Sequence, residues 1–248
     1  MRDKRFFSIL VFMPHLPSVS SQSVVLFSLG GSLVVPETGI DTGFLKSFKK
    51  FIEEQTAQGK QFVIVVGGGH TARTYQAVAG KVAGLEKEDL DWLGIHSTRL
   101  NGHLMRTILR KIAHPVMVKD PTKIPLKWKG KVLVLAGWKP GWSTDYVATY
   151  AGKQLGAKTI INLSNIDQVY TGDPRKMKKA KPLEEITWKE FRKMVGNTWD
   201  PGMNVPFDPV ASRLAQKEDM TVIIANGKKT GNLKKIMEGK AFLGTVIR

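Results

Sequence analysis

Two glycine-rich turns and one arginine carry the chemistry this chain advertises: Ser28-Leu29-Gly30-Gly31-Ser32, and Val66-Gly67-Gly68-Gly69-His70 followed by Thr71-Ala72-Arg73. Each turn follows an apolar run, 24–29 and 62–66. A glycine turn that opens a helix can present bare backbone N–H groups to phosphate, because no Cβ bars close approach and the first helical N–H groups lack partners. Arg73 adds a planar, permanently charged fork suited to phosphoryl oxygens. A pair of such turns suggests a phosphate donor and a phosphorylated acceptor. Taken alone, the glycines also read as tight strand-to-helix turns, and Arg73 as a surface helix charge.

Other phosphate and nucleotide chemistries fit less well. The Walker signature G-x-x-x-x-G-K-[ST] is absent, as are the H-R-D and D-F-G triads of protein kinases, so ATP, if used, is used by a different fold. Gly67, Gly69 and Ala72 match the permissive dinucleotide pattern G-x-G-x-x-A, but they follow the second strand, after an equally glycine-rich first loop. With no cysteine there is no disulfide, thiolate or Cys-ligated metal chemistry, which fits a cytoplasmic setting. His70, His96, His103 and His114 are scattered without the spacing of a ligand pair, and no metal-ligating residues are assigned.

The elements that must position these turns follow from periodicity. Residues 24–29 and 62–66 read as buried parallel strands. Asp41 caps a helix with Phe44, Leu45, Phe48, Phe51 and Ile52 on one face, stopped at Gly59. Helices are expected over 70–83 and 86–113, strands over 115–118 and 131–135, a helix over 143–155 and a strand over 159–163. Gly172-Asp173-Pro174 breaks the chain, two short helices follow, and 221–225 is a late strand. This alternation predicts an α/β fold with a mainly parallel central sheet covered on both faces, a three-layer α/β/α sandwich. It occupies 24–248, with a lobe boundary near residue 157.

Lysine and arginine number 38 against 21 acidic residues, a net charge of +17, which raises nucleic acid, anionic lipid or highly charged small substrates as partners. No nucleic-acid motif accompanies the charge, so nucleic acid is not expected as the main partner. Residues 1–23 imitate a secretory signal with a basic start and a short apolar run, but Pro14 and Pro17 follow at once. They are expected to be a dispensable extension, and no stretch reaches the roughly 20 apolar residues of a membrane span.

The motifs together resemble the amino acid kinase superfamily and, within it, the archaeal-type uridylate (UMP) kinases. The carriers, in order, are the two glycine turns, Leu93-Gly94-Ile95 with Thr98-Arg99-Leu100-Asn101, the run from Gly137 to Asp145, Asn165-Ile166-Asp167 with Val169-Tyr170, Asp173-Pro174, and Phe207-Asp208-Pro209-Val210-Ala211. The resemblance spans 24–248 and implies ATP-dependent phosphorylation of UMP to UDP, with Mg2+ accompanying ATP. It also implies an acceptor lobe over 24–156, an ATP lobe over 157–248, and hexamers built from dimers.

By the same resemblance, Ser28, Leu29, Gly30, Gly31 and Ser32 hold ATP phosphates, with Gly31, Ser32 and Arg73 at the catalytic centre. Gly68 touches UMP, and Gly69 and Arg73 lie at the phosphate crossing, where a side chain on glycine would collide with phosphate. Asp91 takes the acceptor ribose. Trp138, Lys139, Pro140, Gly141, Trp142, Ser143 and Thr144 wrap UMP. Ser164, Asn165, Tyr170 and Asp173 bind the nucleoside end of ATP. Asp208 matches a family carboxylate near the active centre, and equally reads as a helix N-cap.

The chain departs from the family pattern at two places. Indoles stand at Trp138 and Trp142 where smaller or polar residues are commoner; they either stack on a base or pack in the fold. Ser28 stands where many members carry a lysine, which shifts charge neutralisation to Mg2+, Arg73, backbone N–H groups or a lysine of the 175–181 run. The alternatives are a kinase of the same fold acting on isopentenyl phosphate, for which a histidine at the acceptor phosphate is expected, and a catalytically silent nucleotide-binding regulator.

Overall fold

In a computed structural model, residues 24–174, 176–200, 203 and 205–248 are described. The extension over residues 1–23 and Arg175 of the basic run lie outside them. In chain order the elements are β1 (Val24–Leu29), α1 (Gly31–Val34), α2 (Thr42–Ala57), β2 (Gln61–Val66), α3 (Gly69–Val82), α4 (Lys87–Ile108), β3 (Val132–Leu135), α5 (Thr144–Leu155) and β4 (Thr159–Ser164). Then follow β5 (Val169–Tyr170), β6 (Pro182–Leu183), β7 (Glu185–Ile186), α6 (Trp188–Val195), α7 (Pro209–Lys217), β8 (Thr221–Asn226), α8 (Thr230–Met237) and β9 (Thr245–Ile247).

The main sheet has 7 strands in the order β3-β2-β1-β4-β8-β9-β7, parallel at every pairing except β8 with β9. β1 runs into β2 on one side and lies against β4 on the other, so the order reverses between β1 and β4. Open α/β sheets bind ligands outside the carboxyl ends of the strands at such a switch point. The first glycine turn emerges there.

Both faces are covered. Phe27, Phe48, Phe51 and Phe62 pack with Met105 and Leu233 on the face of α2, α4 and α8, while Leu26, Val63, Val147, Phe191 and Ala211 pack on the face of α5, α6 and α7. Three layers result. The local signals act as read: Asp41 Oδ1 accepts from Phe44 N–H at 2.8 Å to cap α2, and Ser143 Oγ accepts from Tyr146 N–H at 3.0 Å to cap α5. Gly156, with φ +67°, ends α5 in the left-handed conformation that favours glycine.

The strand expected over 115–118 does not form. Only bridges at Ala113 and Val118 pair with β3, because Pro115 has no N–H to donate and Val116 is exposed. α4 ends at Ile108, short of the expected 113, and unwinds into turns before the Pro115 segment. No described helix is long and apolar enough to cross a membrane.

Candidate active site

Strand alternation decides which side chains meet. Phe27 and Leu29 enter the α2 face, so Ser28 between them faces α5. Asn162 of β4 pairs in register with Ser28 and shares the orientation of Ile160, which lies in the α5-side core. α5 starts immediately after its Ser143 cap and places Asp145, in its first turn, over both.

A compact polar centre follows. Ser28 Oγ donates to Asp145 Oδ1 at 2.7 Å, Asn162 Nδ2 donates to the same oxygen at 3.2 Å, and Asp208 N–H donates to Oδ2 at 3.2 Å. Asp208 Oδ1 caps α7 by accepting from Ala211 N–H at 2.6 Å, whereas its Oδ2 is buried without a hydrogen-bond partner. Asp208 is thus the N-cap of α7, as one sequence reading had it, and also lines the cavity beside Asp145.

Burial pushes the Asp145 carboxyl up to about 7, against the lowering hydrogen bond from Ser28 and with the neighbouring Asp208 charge adding to the rise. Burial raises Asp208 as well, offset by the N–H groups of Ala211 and Val210 and by the Ser143 side chain.

The glycine turns pack against each other backbone to backbone. A Cβ on Gly31 would lie 2.1 Å from Gly69 N, and one on Gly67 would lie 2.5 Å from Gly31 N. Gly69 has φ +65°, and a Cβ there would meet Gly31 O at 2.5 Å. The glycines at 31, 67 and 69 are thus required by the interlock of the turns, before any phosphate arrives.

α4 braces both the second turn and the loop ahead of α5. Asn101 Nδ2 donates to Gly67 O at 2.9 Å and Gly68 O at 3.0 Å. Thr98 Oγ1 accepts from Gly137 N–H at 2.8 Å, and Arg99 donates to Gly137 O at 3.2 Å and Trp138 O at 2.8 Å. Two turns nearer the start of α4, Asp91 Oδ2 accepts from Gly141 N–H at 2.7 Å, and burial raises its pKa.

These parts enclose a cavity of about 300 Å3 beyond the carboxyl ends of β1, β2 and β4. Of the residues anticipated from sequence, Ser28, Gly30, Gly31, Ser32, Gly68, Gly69, Arg73, Asp91, Trp142, Ser143, Thr144, Ser164 and Asn165 line it. The others lie off its wall. Leu29 alternates into the core, and Gly141 meets Asp91 through its N–H. Trp138 sits behind Trp142, ring centroids 4.6 Å apart, with the Lys139 ammonium 4.3 Å from the Trp138 centroid. Pro140 is in the same loop, Tyr170 belongs to the small β5–β6 sheet, and Asp173 follows it.

The lining also includes Gln76, Asp145, Asn162, Trp199 and Met203, to which sequence reasoning gave no role. Asp145 was signalled by its place two residues after a helix-capping serine. Nothing local marks Asn162 or Trp199.

A family model described as the amino acid kinase family matches residues 23–226. The chain belongs to the amino acid kinase family. It is similar to the uridylate kinase of Hyperthermus butylicus, 32% identical over 224 residues that cover 90% of this chain and 97% of the relative. The uridylate kinase of Pyrococcus abyssi is 34% identical, covering 87% of this chain and 96% of its own length. Among solved structures, the crystal structure of the Archaeoglobus fulgidus uridylate kinase superposes with a TM-score of 0.74 at 30% identity, covering 90% of this chain and 99% of that one. This amino acid kinase therefore shares family and fold with uridylate kinases along nearly its whole described length.

Proposed function

We propose that this amino acid kinase transfers the terminal phosphoryl group of ATP to UMP, releasing ADP and UDP. The observation that carries the reading is the meeting, in one cavity, of two interlocked glycine turns, Arg73 and a buried carboxylate pair. The relatives named uridylate kinases, matched over about nine tenths of the chain, support UMP as the acceptor.

Phosphoryl transfer asks a protein mainly for positioning and charge stabilisation. On the donor side, Gly31 and Ser32 at the start of α1 offer backbone N–H groups to the ATP phosphates, beside Gly30, whose own N–H is donated to Leu163 O at 2.8 Å, and Ser164, Asn165, Tyr170 and Asp173 take its nucleoside end. On the acceptor side, Gly68, Asp91 and the loop from Trp138 to Thr144 hold UMP. Arg73, with Gly69, stands between the two and stabilises the charge of the group in flight. The lobes divide by nucleoside, 24–156 for the acceptor and 157–248 for ATP, with the ATP phosphates reaching the 30–32 turn of the acceptor lobe. Ser28 acts through its hydrogen bond to Asp145, fixing the carboxylate at the end of β1.

The residues present fit Mg2+. Asp208 Oδ2 is a buried oxygen without a partner, Asp145 lies beside it, and Mg2+ is typically held by one or two carboxylates together with substrate phosphates. Among the described residues there is no group of three or more His, Cys, Asp or Glu to form an all-protein site. Asp145 and Asp208 would therefore hold the ion together with ATP, where it supplies neutralisation of the phosphate charge. The protein is proposed to act in the cytoplasm as a homo-oligomer, a hexamer built from dimers.

Isopentenyl phosphate is disfavoured as acceptor because no histidine lines the cavity among the described residues. A panel of UMP, CMP, AMP and isopentenyl phosphate with ATP and Mg2+ tests the reading. The highest kcat/KM belongs to UMP, and a preference for isopentenyl phosphate would overturn it.

A further inference from the structure

Two loops that are distant in sequence each bring one indole to the cavity wall, Trp142 before α5 and Trp199 after α6. Both loops are tied to the first turns of α4. Gly141, next to Trp142, donates its N–H to Asp91 at 2.7 Å, and Lys87 Nζ donates to Asp200, next to Trp199, at 2.5 Å. Lys87 and Asp91 are four residues apart and so lie one above the other on a single face of α4. The loops that carry the two indoles are thereby tied near one corner of the cavity, the corner that holds Asp91, with the Lys87–Asp200 pair at the surface.

Trp142 is also rigidly held. Trp138 meets it edge-on at 4.6 Å and 88° and Tyr146 at 4.4 Å and 79°, while Tyr150 packs at a tilt of 59°, 5.2 Å away, contacts that together hold the ring. The Lys139 ammonium lies 5.5 Å from the Trp142 centroid and 4.3 Å from that of Trp138, so the loop cation is spent on the outer ring. At the cavity wall the held indole offers an apolar aromatic surface and no hydrogen-bond code. Such surfaces recognise planar bases, whatever their edge pattern.

We propose that Trp142 and Trp199 form a two-sided indole clamp on the base of the acceptor, which confines the acceptor class to nucleoside monophosphates and rejects aliphatic phosphates of similar charge. Trp138 is a positioning residue that acts through Trp142. The clamp rests on the reading of this corner as the acceptor site, and its test does not need turnover.

Calorimetric binding without ATP compares UMP with ribose 5-phosphate, the same acceptor lacking its base. Trp142→Ala and Trp199→Ala are each expected to weaken UMP by about 5- to 160-fold, the loss of one base–aromatic stack, and to leave ribose 5-phosphate unchanged. Trp142→Phe and Trp199→Phe, which keep a ring and fill most of the volume, recover most of the UMP affinity. If either alanine variant leaves UMP affinity unchanged, or weakens both ligands equally, or if phenylalanine does not rescue, the clamp is overturned. Wild-type turnover of UMP reports on the activity separately, so a protein that binds bases through both indoles yet makes no UDP would refute the activity and keep the clamp.

Discussion

Asp145 concentrates the chemistry at the residue scale. Its carboxyl is raised to about 7 by burial, whereas an unfolded aspartate ionises near 3.8, so the native state binds the proton more tightly than the unfolded chain. The stability this gives is fully present below about pH 4 and is lost as pH rises toward 7, by at most roughly 4 kcal/mol for a shift of this size. Urea denaturation of the ligand-free protein between pH 5 and 8 is expected to show declining stability, and Asp145→Asn to flatten the slope; an identical slope in the variant would refute the assignment. Arg73 is a different kind of residue, exposed and set on the second turn of α3 at the cavity wall. Removing one preorganised donor from a developing charge costs about 2.7–4 kcal/mol. Arg73→Ala should therefore lower kcat by roughly two to three orders of magnitude while moving the KM for UMP less. An unchanged kcat places Arg73 outside the reaction.

The motif Thr98-Arg99-Leu100-Asn101 acts at the scale of elements, as a brace from α4 to the ends of two strands. Asn101 holds the carbonyls of Gly67 and Gly68, and Thr98 with Arg99 holds Gly137 and Trp138. Asn101→Ala leaves the buried Gly67 carbonyl without its Asn101 donor, while Gly68 O keeps only the Ala72 N–H at 3.4 Å, a loss of about 1–3 kcal/mol, and should also raise the KM for UMP by loosening Gly68. A denaturation midpoint equal to wild type would show that the turns hold themselves. Short-range pattern made most elements readable: Asp41, Ser143 and Gly156 mark helix ends, and the apolar runs mark β1, β2 and β4. Pairings across long sequence distance were not readable in the same way. Ser28 and Asp145 are 117 residues apart, and the reason for glycine at 31, 67 and 69 lies in the contact between two turns that periodicity cannot place side by side. The short strands β7 and β9 carry too few residues for an alternation to show.

Assembly and charge belong to the whole molecule. Of the apolar side chains along α4, Ile95 is buried, Leu104 and Ile108 pack on the core, and Leu100 is exposed. The larger unpartnered apolar stripe is on α3, which buries no residue and exposes Tyr75, Val78 and Val82 at 61%, 55% and 83% along one side. A stripe of this kind supports the proposed homo-oligomer, while a charge of +17 opposes it. Repulsion is screened beyond about 8 Å at physiological ionic strength, so light scattering should show assembly tightening as salt rises, and a monomer at every salt concentration would contradict it. The proposed activity unites the three scales: carboxylates and an arginine at the centre, turns locked by α4, and a sheet whose switch point gathers them. Incubating the protein with UMP, Mg2+ and ATP labelled in its terminal phosphoryl group tests this most directly. The account predicts label in the outer phosphate of UDP, with ADP formed in equal amount; label only in inorganic phosphate, or none transferred to UMP, would contradict it.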